Sequence, residues 1–340
     1  MPELTYSERL TMIGEEYICW KDIIILGDDI YRLDHGVYKK TEESPDDFFG
    51  IEVSHSYEVK QYNNLIITVD EAEDEFIIYD LDSMDKYNYE IYNKGSIAGY
   101  WWYVCNGRIY YEVQEKDNSL DRTIMRMDLF TGESEKIYSL SESELADGMI
   151  LGYVFMIRKD ETIITAVYNE NTEMVEYRRI KIDSDQATEE KLWETNKYVY
   201  AYFEQYNEQG AFIFGEFYRP EGGKETEIIC LNDQGDARQV EILSIYGLII
   251  TDKGYFLCDN SKNPYEIVDN MRDRKSLTRI VDSITFYNFE GESIERYYLD
   301  NEEFAENDYE LENIIYTGEK MIVIYSGNDD LQIVNVPISN

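Results

Sequence analysis

Histidine is almost missing from this sequence: only His35 and His55 occur in 340 residues. His35 follows a turn aspartate and His55 stands near a strand start, and neither has a Cys/His cluster around it. A zinc site therefore lacks a ligand set. Proline is scarce as well, five residues in all, and no Pro- or Ser-rich linker interrupts the chain. Cysteine is limited to Cys19, Cys105, Cys230 and Cys258, each in or beside an apolar run and without C-x-x-C spacing. These read as reduced core residues acting as small hydrophobes. A Cys230–Cys258 bridge is left open by this arrangement.

Positive charge is the next shortage. Lys and Arg number 31 against 71 Asp and Glu, a formal charge of −40. A field of that sign repels nucleic acid and anionic lipid surfaces. It favours solubility and is compatible with basic protein partners or cations. No apolar run reaches transmembrane length. The start, Met1-Pro-Glu-Leu-Thr-Tyr6, has neither a basic n-region nor an apolar h-region. The expectation is a soluble monomer without membrane insertion, either cytoplasmic or exported with its leader removed.

Chemical motifs are also lacking. No D-x-[DN]-x-[DN]-G loop is present, so calcium has no motif behind it, although Asp80, Asp82 and Asp85 are close in sequence. Phosphate loops of the Walker or dinucleotide type are absent, as is the sialidase-type box S-x-D-x-G-x-x-T-W. A Ser-His-Asp triad has no nucleophile elbow to support it. With 71 acids, paired carboxylates for glycoside hydrolysis cannot be singled out. No catalytic residue, metal ligand or cofactor is assigned.

What is present is a repeat. An apolar strand end followed by Asp or Asn recurs about every 46–56 residues, at Asp34, Asp82, Asp128, Asp183, Asn232, Asn288 and Asn335. The clearest copy is Ile124-Met-Arg-Met-Asp-Leu-Phe-Thr-Gly-Glu133. Asp and Asn suit a turn because their side chains bond their own backbone two residues on. Gly132, Gly235 and Gly291 follow in three copies, where a tight hairpin often needs positive φ. One acid or amide per repeat does not converge on an ion, so these positions read as turn chemistry.

The flanks repeat too. An apolar run precedes each copy, for instance Leu65–Val69 and Ile163–Val167, and a shorter, often aromatic run precedes that, as in Tyr100–Val104 and Tyr153–Ile157. A fourth run of alternating polarity follows most copies, such as Glu135–Tyr138 and Arg238–Ile242. Short strands rich in Ile, Val, Tyr and Phe, punctuated by Gly, Asp and Asn, are β signals. Four-stranded units at this period predict a β-propeller.

The expectation is an all-β fold in one domain of residues 1–340, a seven-bladed propeller of four-stranded antiparallel blades. The blades run over about 11–45, 50–94, 97–140, 148–195, 197–243, 245–300 and 308–340. Residues 3–10 carry a spare strand, expected to complete the last blade and close the ring without an open edge.

Strand alternation predicts where binding concentrates. Loops between strands two and three share a face with loops leading to the next blade. That face would gather the acidic stretches 41–47, 70–75, 141–147 and 300–308 and a long insertion at 259–282. The insertion is locally basic, with Lys262, Arg272, Arg274, Lys275 and Arg279. Long insertions of this kind are often functional. It reads as a partner-binding arm or channel lid, or as an arm folded on its own acidic face. Trp101 and Trp102 are adjacent, so as strand residues they point to opposite sides. One could stack on a sugar, although packing between blades is the favoured use.

The segment Ile124–Glu133, preceded by Asn106-Gly-Arg-Ile-Tyr-Tyr111, resembles bacterial β-propeller proteins related to the low-density-lipoprotein-receptor YWTD type. The YWTD tetrapeptide itself is absent. The resemblance is sharp in the third unit, fair in the first two and degenerate elsewhere. It implies the propeller fold and a binding role, carries no catalytic residues, and implies that export is common among such proteins. The combined expectation is a non-catalytic scaffold holding a protein or carbohydrate ligand on the acidic-loop face. The alternative is a propeller lyase, lactonase or glycoside hydrolase using carboxylates at the channel mouth.

Overall fold

The structure is a computed structural model. It describes residues 17–20, 23–26, 29–34, 37–40, 59–70, 73–80, 83, 85–92, 96–115, 118–183, 186–198, 200–220, 222–240, 248–259, 281–299, 301–307, 309–316, 320–327 and 330–338. Among the described residues, seven separate antiparallel sheets follow one another along the chain.

The first sheet holds β1 (Tyr17–Trp20), β2 (Ile23–Leu26), β3 (Asp29–Asp34) and β4 (Val37–Lys40). The second holds β5 (Val59–Tyr62), β6 (Leu65–Asp70), β7 (Glu75–Asp80) and β8 (Lys86–Glu90). The third holds β9 (Ser96–Cys105), β10 (Arg108–Glu115), β11 (Asn118–Asp128) and β12 (Ser134–Ser139). The fourth holds β13 (Met149–Ile157), β14 (Ile163–Asn169), β15 (Met174–Asp183) and β16 (Gln186–Thr195). The fifth holds β17 (Tyr200–Asn207), β18 (Gly210–Tyr218), β19 (Lys224–Leu231) and β20 (Ala237–Val240). The sixth holds β21 (Ile249–Ile250), β22 (Tyr255–Asp259), β23 (Ser283–Tyr287) and β24 (Ser293–Tyr298). The last has three described strands, β25 (Glu310–Tyr316), β26 (Lys320–Gly327) and β27 (Asp330–Pro337). Residues 3–10, expected to complete it, lie outside the described residues.

Contacts divide the chain into two compact units. One comprises Met1–Thr68, Tyr79–Met84 and Glu241–Asn340, the other Val69–Ile78 and Asp85–Val240. Within the second, Phe76 of β7 packs edge-on against Trp102 of β9 and Tyr111 of β10, with ring centroids 5.5 and 5.1 Å away. Tyr110, Ile124 and Tyr138 of the third sheet meet Leu151, Phe155 and Ile163 of the fourth. Ile164 and Tyr177 of the fourth meet Phe203, Ile213 and Leu231 of the fifth. Within the first unit, Phe256, Cys258 and Ile284 pack on Leu311, Met321, Val323 and Tyr325.

Because sheets cover one another on both faces, the middle strands read as continuous apolar runs rather than alternating ones. Ile109, Tyr110, Tyr111 and Val113 are all buried. Burying each such side chain contributes about 1.5–3 kcal/mol. The fourth strands β8, β12 and β24 are largely exposed or half-exposed, and they carry the polar residues.

The turn chemistry is explicit in three repeats. Asp128 Oδ1 accepts the backbone N–H groups of Phe130 and Thr131, both at 2.9 Å. Asn232 Oδ1 accepts those of Gln234 and Asp236, and Asn288 Oδ1 those of Glu290 and Glu292. Gly132, Gly235 and Gly291 have φ of 71°, 87° and 81°, the left-handed region that favours glycine.

Two acidic stretches expected as loops contain short helices. In 141–147 these are α1 (Glu142–Ala146) and its cap: Ser141 Oγ accepts the Glu144 N–H, and the Glu144 carboxylate accepts the Ser141 N–H. This capping box satisfies backbone donors a bare loop would leave to water. In 300–308 it is α2 (Glu302–Glu306).

Candidate functional site

The basic arm residues Lys262, Arg272, Arg274, Lys275 and Arg279 lie outside the described residues. The base from which the arm leaves is described. It joins neighbouring strands β22 and β23, and Asp259 pairs with Ser283 across them. The Asp282 N–H donates to the Asp259 carbonyl at 3.1 Å. The Asp259 carboxylate is buried and accepts Thr285 Oγ1 (2.9 Å), Tyr287 OH (3.1 Å) and Arg296 Nη2 (2.7 Å). Both ends of the insertion are thus pinned to one another.

Trp102 is 2% exposed and sits in the core against Phe76. Trp101 falls in an irregularity of β9. Trp102 pairs with Tyr111 and Ile97 with Val113, so residues 98–101 all stand opposite Glu112. The side chain of Trp101 lies outside the described residues. Cys105, Cys230 and Cys258 are buried free thiols, so the Cys230–Cys258 bridge left open by the sequence is not formed. Burial pushes the Cys105 thiol up to about 11, with the nearby Glu161 and Asp160 charges adding to the effect.

Sequence reading missed the charged groups that tie one sheet to the next. Glu161, in the turn between β13 and β14, is held by the third sheet. It accepts Arg108 Nη1 at 2.8 Å on both oxygens, Tyr110 OH at 2.7 Å and Asn106 Nδ2 at 3.1 Å. Burial alone would raise its pKa, but the bonds from Tyr110 and Asn106 and the charges of Arg108 and Arg126 leave it lowered. A second tie joins the fourth and fifth sheets. Arg158 holds Asp160 through two nitrogens (3.0 and 2.7 Å) and reaches Asp233 at 3.3 Å, while Arg179 donates to the Asp233 carbonyl at 2.9 Å. The bond from Arg158 holds the Asp160 carboxyl down at about 2 despite partial burial. A third hub is Arg178, which donates to Glu176 (2.7 Å), Glu144 of α1 (2.6 Å) and the Tyr138 hydroxyl (3.0 Å). The signal was present: Arg178 and Arg179 interrupt the strand Met174–Asp183 where one face should be apolar. A charge buried in such a strand needs a partner.

One buried pair is less well matched. Glu112 is fully buried and its nearest cation is Arg122 Nε at 3.7 Å. Neither Glu112 oxygen receives a hydrogen bond, while Arg122 Nη1 donates to the Leu151 carbonyl at 2.8 Å. Desolvation pushes the Glu112 carboxyl up to about 8, against the opposing pull of Arg122. Among the described residues no group of three His, Cys, Asp or Glu is placed to hold a metal ion.

At the surface, β8 meets the turn after β11 through Tyr89. Phe130 of that turn is 66% exposed and Tyr87, two residues before Tyr89, is 42% exposed. The Tyr89 hydroxyl donates to the Phe130 carbonyl at 3.0 Å. Its ring lies directly over Gly132, where an added Cβ would overlap it.

No protein-family model matches the chain, and no curated protein matches it. Solved structures do. An oligogalacturonate lyase from Vibrio parahaemolyticus shares 10% identity, with 92% of this chain and 83% of that one covered, at a TM-score of 0.51. The hydrazine synthase of Kuenenia stuttgartiensis shares 10% identity, with 94% and 93% covered, at 0.50. The β-propeller domain of the Trilobed protease from Pyrococcus furiosus shares 11% identity, with 84% and 83% covered, at 0.49. The fold is all-β, and β-propeller domains are among its structural neighbours. At these identities the likeness is one of fold, since one fold hosts many activities.

Proposed function

We propose that the chain is a single seven-bladed β-propeller that acts as a non-catalytic, monomeric scaffold. It would hold a protein partner or ligand on the face bearing the acidic loops and the 259–282 arm. The ring would close through residues 3–10. Seven antiparallel sheets in chain order support the blade count, and the motif of residues 106–133 supports kinship with the YWTD type. One observation carries the scaffold reading: the buried arginines are engaged in ties between neighbouring sheets. Arg126, Arg158, Arg178 and Arg179 each reach a carboxylate. Such partners fix a rigid frame on which exposed loops can bind. Within its own unit the base of the arm is clamped at Asp259 and Asp282.

The rival, a lyase, lactonase or glycoside hydrolase, finds its best support in Glu112, whose raised pKa suits an acid catalyst. Its burial beside Arg122 favours a structural pair instead. The deciding experiment compares the intact chain with a variant whose 260–280 segment is replaced by a short Gly/Ser loop. A cross-linked partner held by the first and lost by the second is the expected result. Turnover of oligogalacturonate or another sugar substrate by the intact chain, abolished by Glu112→Gln, would overturn the reading.

A further inference from the structure

Tyr87 and Tyr89 alternate along β8, so both rise from the same face of the strand. Tyr89 is fixed by its bond to the Phe130 carbonyl. Phe130 stands at the tip of a turn that Asp128 braces through two backbone N–H groups. Beneath the turn, the Tyr111 hydroxyl meets Ser134 Oγ at 3.2 Å. The Tyr89 ring and the backbone beneath Phe130 are held in place, so they lose little freedom on binding, and exposed aromatics of this kind are common anchors. Exposing them to water also has a cost, which a partner would relieve.

The charge around the patch is mainly acidic. On the Tyr87–Tyr89 side of β8 and in the turn after β11 stand Asp85, Asp128 and Glu133, while Lys86 and Glu90 alternate to the other face of the strand and the charge of Arg108 reaches Asp128. A neutral sugar would gain the rings and nothing from those charges, and an anionic one would be repelled. An arginine side chain gains both, because its planar guanidinium stacks on aromatic faces and pairs with carboxylates, whereas a lysine ammonium is held more tightly by water.

We infer that the Tyr87–Tyr89–Phe130 patch is a docking site for an arginine-bearing segment of a basic protein partner. The inference deepens the scaffold reading and rests on it for the non-catalytic role, but it uses none of the residues of the 259–282 arm.

The test titrates a fluorescein-labelled Arg-Gly repeat peptide into the full chain by fluorescence anisotropy, beside a Lys-Gly peptide of equal charge. The variants are Tyr87→Ser with Phe130→Ser, Phe130→Ser alone in case the double variant fails to fold, and Glu170→Gln with Asp252→Asn as a charge control away from the patch sequence. The intact chain should prefer the arginine peptide several-fold. The double variant should lose about tenfold in affinity for it and most of that preference, Phe130→Ser about threefold, and the charge control should keep the preference. Equal binding of both peptides, unchanged binding by the aromatic variants, or competition by the neutral sugar cellotetraose would overturn the inference. Absence of peptide binding together with an arm-dependent partner would sink this inference and leave the scaffold standing. Sugar turnover would sink the scaffold reading whatever the peptides do.

Discussion

At the scale of single residues, a few carboxylates tie one sheet to the next. Glu161 accepts from four side chains of the neighbouring sheet at 2.7–3.4 Å. Glu161→Ala would leave Arg108 and Arg126 without that partner, and a loss of roughly 2–4 kcal/mol is expected in urea unfolding. Glu112 should behave in the opposite sense. Its folded pKa, about 8, lies above the ordinary carboxylate value, so the folded state binds more protons than the unfolded one between about pH 4.3 and that value. Its contribution therefore falls as pH rises through that window. Glu112→Gln should match the parent near pH 5 and exceed it at pH 8. A variant with the parent's slope would assign the decline to another group.

At the scale of elements, turns and caps set local stability. Asp128→Ala removes two backbone bonds from the turn after β11 and should cost about 1–2 kcal/mol. Gly132→Ala meets both a φ of 71° and the Tyr89 ring, so a loss of at least about 1 kcal/mol is expected, larger than for an ordinary surface substitution. Ser141→Ala breaks the capping box of α1 and should cost about 1 kcal/mol. Thermal unfolding of the three variants would rank these effects. A tolerant Gly132→Ala would mean that Tyr89 can leave its position over the turn.

At the scale of the whole molecule, charge and cooperativity are the relevant quantities. The carboxyls of Asp128, Glu144, Asp160 and Glu161 all have lowered pKa values. Their stabilising contribution is complete above the unfolded carboxylate range near pH 4 and is lost as pH falls through the folded values, to about 2 for Asp160. Acid unfolding below about pH 4 is therefore expected, as read by circular dichroism. The net charge of −40 opposes compaction. Added salt should raise the urea midpoint by screening exposed repulsion more than the part-buried ties. If the seven sheets close into one ring, calorimetry should show a single transition. Two transitions would mean that the compact units unfold separately, and the single-ring proposal would fall.

The sequence by itself determined the sheets and their order. Apolar runs ending in Asp or Asn, followed in three repeats by a positive-φ glycine, are local signals, because a turn is decided by the residues within it. Strands such as Leu65–Asp70 and Ile163–Asn169 fell where those signals put them. The capping box at Ser141 and Glu144 was equally local but was masked by the acidity of its stretch. Tertiary structure alone decided which charges are buried and with whom. Glu161 meets Arg108 from 53 residues away and Arg158 meets Asp233 from 75. No local pattern encodes such pairings, since they arise only when one sheet packs on the next. The same packing sent Trp102 into the core and left Phe130 and Tyr87 at the surface. Aromatic identity sets the size of the hydrophobic gain, but neighbouring sheets decide whether it is collected within the molecule or left for a partner.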